Sequence, residues 1–252
     1  MEPARPSAQT LRLIQKGASS APAGPDVCPL CFGAGMEVVP GKGARRCDCR
    51  HEEFVARTVE RDVPFIYRPF RLETLEPRAD RHTKQARVIE HLKRKPDANY
   101  YFWGDNGSGK TLFLWLMFRR AVEGRRRAWG GTVQQLLDDY ERAIEADKRG
   151  FVHVPKLRPH MLQEAGSRWA LCLDDLDKPK VTEWTASKFF EIVNAAYNGG
   201  HQLITTANCS SEELEGIWEV KGGHYGRSIV RRLLEGAFTV EFPRERRARS
   251  EV

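Results

Sequence analysis

"GDNGSGKT", Gly104 to Thr111, decides how the rest of the chain is read. It follows the aromatic run "YYFW" at 100–103 and precedes the apolar run "LFLWL" at 112–116, so a glycine turn lies between an expected buried strand and an expected helix. The spacing G-x4-G-K-T is that of a phosphate loop. Glycines there let backbone N–H groups wrap phosphate oxygens, and the helix N-terminus adds a favourable dipole. Gly104, Asp105, Asn106, Gly107, Ser108, Gly109, Lys110 and Thr111 are the expected binding residues. Lys110 suits the β- and γ-phosphates, and the Thr111 hydroxyl suits a Mg²⁺ ion.

Such a site needs an acidic residue at the tip of a neighbouring strand. "LCLDD" at 171–175 supplies one after a buried apolar run. Asp174 is expected to act on the metal, directly or through water, and Asp175 to polarise an attacking water. The alternative is that the two acids cap the turn toward Asp177 and Pro179. One helix later "ITTAN" at 204–208 ends in Asn208, a candidate to orient that water, with a plain turn residue as the alternative.

Outward from the loop, strand and helix patterns alternate. A helix is expected over about 110–122, a weaker strand near "RAWG", an amphipathic helix over "TVQQLLDDYERAIEADKR" capped by Thr132, and a buried strand at "WALCLDD". "TEWTASKFFEIVNAAYNGG" reads as a helix, "QLITTAN" as a strand, "SEELEG" and "GRSIVRRLLEG" as helix segments, and "AFTVEF" as a last strand. This alternation implies an α/β fold with a mainly parallel sheet and helices on both faces.

Four of the six cysteines crowd into one window, Cys28 and Cys31 in "CPLC" and Cys47 and Cys49 in "CDC". With "PGKG" between them, the spacing suggests a small hairpin carrying a ligand pair at each end of one structural Zn²⁺. His51 is an alternative ligand, and so small a segment has almost no core without metal. Cys172 and Cys209 lie in apolar stretches and read as packing residues. The expected organisation is a linker at 1–26, a zinc module at 27–52, a helical connector at 53–99, the nucleotide-binding core at 100–242 and a basic tail at 243–252.

Composition narrows the class. The chain has 252 residues, with 40% apolar and 30% charged, and it shows neither a long uncharged apolar run nor a signal-peptide core. It is expected to be cytoplasmic and away from membranes. A net charge of +7, with arginines clustered at 119–127, 227–232 and 244–249, favours polyanionic partners or a solvated basic surface.

Taken together, "GDNGSGKT", "LCLDDLD", "ITTAN", "YGRSIVRRL" and the upstream "VPFIYRPFRLETL" resemble the AAA+ ATPases over about residues 60–242. More narrowly they are similar to the DnaC/IstB group of helicase loaders and transposition ATPases. That resemblance implies ATP as cofactor, self-association through AAA+ interfaces, and an arginine finger reaching a neighbour's γ-phosphate. The finger falls on Arg232, with Arg231 and Arg227 on the same helix. A zinc-bearing N-terminus resembles the loaders, which implies a replicative DnaB-like helicase and single-stranded DNA as partners. Arg125, Arg126, Arg127, Lys148, Arg149, Lys156 and Arg158 are candidate DNA contacts. A transposition helper and an adaptor with vestigial hydrolysis are the competing readings. The pattern departs from most AAA+ proteins in having Asp175 in place of Glu, and no C-terminal helical lid is expected after "AFTVEF".

Overall fold

The computed structural model describes residues 28–41, 43–76, 82–164, 166 and 168–242; the expected linker 1–26 and basic tail 243–252 lie outside them. The chain divides into two compact units, Met1–Glu53 and Phe54–Val252.

In the first unit, β1 (Met36–Val39) and β2 (Gly43–Arg46) form an antiparallel hairpin with Val38 opposite Ala44. Cys28 and Cys31 precede β1, and Cys47 and Cys49 follow β2 at the start of α1 (Asp48–Asp62). The two cysteine pairs therefore meet at the open end of the hairpin, one before its first strand and one after its second. The pleat is inverted relative to an ordinary sheet: Glu37 is buried and ion-paired with Arg45, while Val38 is 81% exposed.

The second unit contains the end of α1, a 3-10 turn at Phe65–Tyr67, α2 (His82–Arg94), β3 (Tyr100–Gly104), α3 (Lys110–Glu123) and β4 (Arg127–Thr132). It continues with α4 (Val133–Lys148), β5 (Trp169–Asp174), α5 (Glu183–Asn198), β6 (Gln202–Ala207), α6 (Ser211–Gly222), α7 (Gly226–Leu234) and β7 (Phe238–Phe242). Three of these helices start on reciprocal capping boxes, Thr132 with Gln135, Thr182 with Thr185, and Ser210 with Glu213. Each box satisfies two backbone N–H groups that the first helical turn leaves without partners.

The sheet order is β4-β5-β6-β3-β7, and every pairing is parallel. Both faces are covered, so successive strand residues are buried on opposite sides. Tyr100, Phe102, Cys172 and Ile204 pack with α3, Val55, Val59, Leu72 and Leu92. Tyr101, Leu171, Leu173 and Leu203 pack with Leu136, Phe189, Trp218 and Leu233 from the helices of the other layer. From the segment expected as a helical connector, 53–99, Val55, Val59, Val63, Leu72, Ile89 and Leu92 pack into this layer, the first three spaced as one apolar stripe. Among the described residues no helix is long and apolar enough to cross a membrane.

Parallel pairing puts the carboxyl ends of β3, β5 and β6 side by side, with β6 between the other two. Ligands of open α/β sheets bind at this edge.

Candidate functional site

Gly104 ends β3 with φ 133°, where a side chain would collide with the Phe242 carbonyl. Only glycine permits so close an approach of β7 to the loop. Gly109, at φ 103°, then turns the backbone into the first residue of α3. Lys110 is buried, and its Nζ donates to Gly104 O at 2.7 Å, Asp105 O at 2.8 Å and Asn208 Oδ1 at 3.1 Å. Burial lowers its pKa from the ordinary lysine value, against the pull of Asp175, Asp177 and Asp174. The ammonium is thus held by weak carbonyl acceptors that phosphate oxygens can replace.

The acids expected from "LCLDD" lie beside it. The Thr111 hydroxyl donates to Asp174 Oδ1 at 3.2 Å, joining the phosphate loop to the tip of β5. Asp174 is 7% exposed, and burial pushes its carboxyl above the usual range although Thr206 and Thr111 hydroxyls donate to it. Asp175 adopts φ 57°, an uncommon conformation for a residue with a side chain. Its N–H donates to Thr206 Oγ1 at 3.0 Å, and burial followed by the charges of Asp174 and Asp177 raises its pKa. Strain and a raised carboxyl at one position are features of functional sites.

Asn106 to Phe113, Asp175 and Asn208 line one cavity of about 570 Å³, whose other wall is Tyr67, Phe70, Leu75, Glu76 and Ile89. One half is polar and rich in backbone N–H groups, and the other is mainly apolar and aromatic with the Glu76 carboxylate beside it. That division suits a nucleotide, with phosphates on the loop and the base against the rings. Burial, followed by the Asp174 charge, raises the phenol pKa of Tyr67. Sequence reasoning placed "VPFIYRPF" just ahead of the site but singled out no residue in it. Thr206 and Asp177, which hold the acids and Asn208, were also missed as functional residues; their only sequence signal is adjacency to the two strand tips.

The fit to a metal follows from the donors. Thr111 and Asp174 offer hard oxygen ligands at the phosphate end, as Mg²⁺ requires. In the first unit the four cysteine sulfurs lie within 4.8 Å of one another, with Cys28–Cys47 at 3.6 Å and Cys31–Cys49 at 3.4 Å. A tetrahedral zinc with Zn–S bonds of about 2.3 Å separates its sulfurs by roughly 3.8 Å, so these positions fit one ion. Among the described residues this cysteine quartet, without His51, is the metal-compatible cluster. N–H groups of Leu30 and Cys31 bring the Cys28 thiol down to about 7, while hydrogen bonding with Cys31 and then burial push Cys49 up.

Arg232 and Arg227 of α7 contact residues of α5 and α6. The Arg232 guanidinium lies 4.9 Å from the Phe190 ring and 5.8 Å from that of Tyr197, and its Nε has no hydrogen-bond partner among the described residues. Arg231 is exposed, and Arg227 pairs with Glu215 and Glu219 at 3.2 and 3.1 Å. Of the arginines expected at DNA, Arg126 is engaged by Gln202 and Asp97 at 2.6 and 3.0 Å. Arg127 pairs with Glu164 at 2.6 Å and covers Trp169 at 5.6 Å. Both stand at the amino ends of the strands, opposite the nucleotide edge.

No family model matches the sequence. The chromosomal replication initiator protein DnaA of Francisella philomiragia is 27% identical over 133 residues, which are 52% of this chain and 25% of that protein. The chain thus spans about a quarter of the curated relatives it matches. Among solved structures, the DnaC helicase loader superposes with a TM-score of 0.55 at 18% identity, covering 71% of this chain and 99% of that one. Replication initiator DnaA bound to AMPPCP and single-stranded DNA gives 0.51 at 20% identity, covering 72% and 52%. The unit that carries the phosphate loop therefore shares its α/β fold with these DnaC and DnaA structures.

Proposed function

We propose that this protein is an ATPase that loads a replicative DnaB-like helicase onto single-stranded DNA. The observation that carries the ATPase reading is the Thr111–Asp174 contact, which brings the two halves of a Mg-nucleotide site together at one strand edge. Lys110 exchanges its carbonyl partners for β- and γ-phosphate oxygens, and the N–H groups of residues 104–109 cradle the chain of phosphates. Thr111 and Asp174 would hold a Mg²⁺ ion, which would supply charge neutralisation at the phosphates. Asp175 accepts a proton from the attacking water, and Asn208 orients that water. Arg232 acts on the γ-phosphate of a neighbouring subunit, so hydrolysis requires self-association.

The loader reading draws on the fold shared with DnaC and on the cysteine module, for which we propose one structural Zn²⁺. Leu30, Phe32, Met36 and Val38 on that module face solvent, the kind of surface that a protein partner covers. The fold shared with DNA-bound DnaA supports single-stranded DNA as the second partner. Co-purification with the replicative helicase of the same organism, with and without ATP, tests the assignment. Nucleotide-dependent capture is expected; capture of a transposase instead points to the transposition helper, and absence of ATP turnover under every DNA and partner condition leaves a nucleotide-gated adaptor.

A further inference from the structure

Asp177 and Asn208 meet across the tips of β5 and β6. Asn208 donates to Asp177 Oδ1 from its backbone N–H at 3.0 Å, and its Nδ2 lies 3.2 and 3.0 Å from Oδ1 and Oδ2. At its other end Oδ1 accepts from Lys110 Nζ at 3.1 Å. The chemistry of the two neighbours dictates which way the amide points. An ionised carboxylate only accepts hydrogen bonds and an ammonium only donates them. A flipped amide would set its NH₂ against Nζ and its oxygen against the carboxylate. Asp177 also holds Lys178 Nζ at 3.1 Å, with its own side chain 9% exposed. Burial pushes its carboxyl up, but the Asn208 donors together with Lys178 and a backbone N–H keep it below the ordinary value.

A reciprocal pair of bonds runs the other way. Thr206, on β6, donates to Asp174 Oδ1 and accepts the Asp175 N–H, while Leu176 N–H donates to Thr206 O at 2.8 Å. The acidic loop and the β6 tip are thus clasped from both sides, and Asp177 is the half of the clasp that no phosphate or metal needs.

We infer that Asp177 is a positioning residue for hydrolysis, turning Asn208 so that a carbonyl oxygen rather than an amide N–H faces the attacking water. The inference rests on the ATPase reading above. Asn208 Oδ1 and the Asp175 carboxylate then offer the water two acceptors, which aim its lone pair at the γ-phosphorus. The water oxygen bonds to phosphorus as the β,γ-bridging P–O bond breaks, ADP leaves with that electron pair, and the water proton passes to Asp175.

The test is steady-state ATP turnover and nucleotide binding by the full chain. D177N keeps the shape but removes the demand for a donor, so kcat is expected to fall by about 10- to 100-fold with ATP affinity unchanged. In an N208A background the same substitution is expected to add nothing, as befits a residue acting through another. The exchange variant D177N/N208D restores a donor facing an acceptor and leaves an acceptor toward the water, so it should exceed D177N in turnover. It also serves if D177N alone fails to fold. Wild-type turnover in D177N, an equal loss in the N208A background, or an exchange variant no better than D177N would each overturn the inference. If the wild-type chain never hydrolyses ATP, it is the ATPase reading that falls. The clasp is then judged by isotope-edited NMR: the Asn208 side-chain amide pair, identified by its loss in N208A, must move in D177N, and an unmoved pair rejects the clasp.

Discussion

The two units of this chain are held together by opposite means. In the described part of Met1–Glu53 the fully or nearly buried side chains are Cys31, Glu37 and Cys47, while Leu30, Phe32, Met36 and Val38 face water. In Phe54–Val252 the apolar side chains fill both faces of a five-stranded sheet. The first interior is made of sulfur and one ion pair, so on the zinc proposal its stability would come from the bound ion. The second interior is hydrocarbon and its stability is its own. Ligand should therefore decide the fold of the first unit and only the activity of the second.

The largest expected effect follows from that contrast. Elemental analysis is expected to find one zinc per chain, and chelation or Cys47→Ser is expected to unfold the cysteine module at a cost on the order of 10 kcal/mol. Thermal unfolding of the Phe54–Val252 unit should not change. Metal-free protein with an ordered hairpin, followed by hydrogen exchange, would erase the distinction.

In the second unit the site can be disabled while the core stands. Arg232→Ala is expected to lower ATP turnover by about 10³-fold with ATP binding intact. Only about 0.5–1 kcal/mol of stability should go with the lost packing on Phe190 and Tyr197. Undiminished turnover transfers the role to Arg231, the exposed neighbour. Lys110→Ala removes the ammonium at the loop and should weaken ATP binding on the order of 100-fold. Titration with a fluorescent ATP analogue reads this directly, and unchanged affinity contradicts the loop assignment.

Why some of this was legible in sequence and some was not is a matter of range. The phosphate loop is a local device built from backbone N–H groups, so its glycines, Lys110 and Thr111 declare themselves within eight residues. The cysteine quartet is also local, closed by a short hairpin. The strand-helix alternation survives translation into structure because both sheet faces are buried and the apolar runs are long. The packing of Val55, Val59 and Leu72 from the expected connector was not legible, because these residues acquire meaning only against Phe102 and Phe113, which lie far along the chain. Thr206 and Asp177 were invisible as functional residues for the same reason. A threonine within a strand and a third acid after a pair have no distinctive local pattern, and their partners come from a strand 31 or 32 residues away.

Asp174 sharpens the comparison most finely, because there the second unit gives up stability to its site. Its carboxyl is buried and its pKa raised, so the folded chain binds a proton more tightly than the unfolded one. A group of that kind favours folding at low pH and loses the advantage as pH rises from the ordinary carboxylate value through the raised one. Asp174→Asn keeps the shape, and an amide oxygen can still accept from Thr206 and Thr111. The nucleotide-free variant should be more stable than the parent at neutral pH by about 1 kcal/mol. The gain should shrink in mildly acid buffer, where the parent carboxyl is already protonated, and ATP turnover should be lost. Denaturant unfolding at the two pH values, set beside the turnover assay, checks all three. A variant less stable than the parent at both would mean that the ionised carboxylate, through its two hydroxyl donors, contributes to the fold, and that this unit too depends on the chemistry of its site.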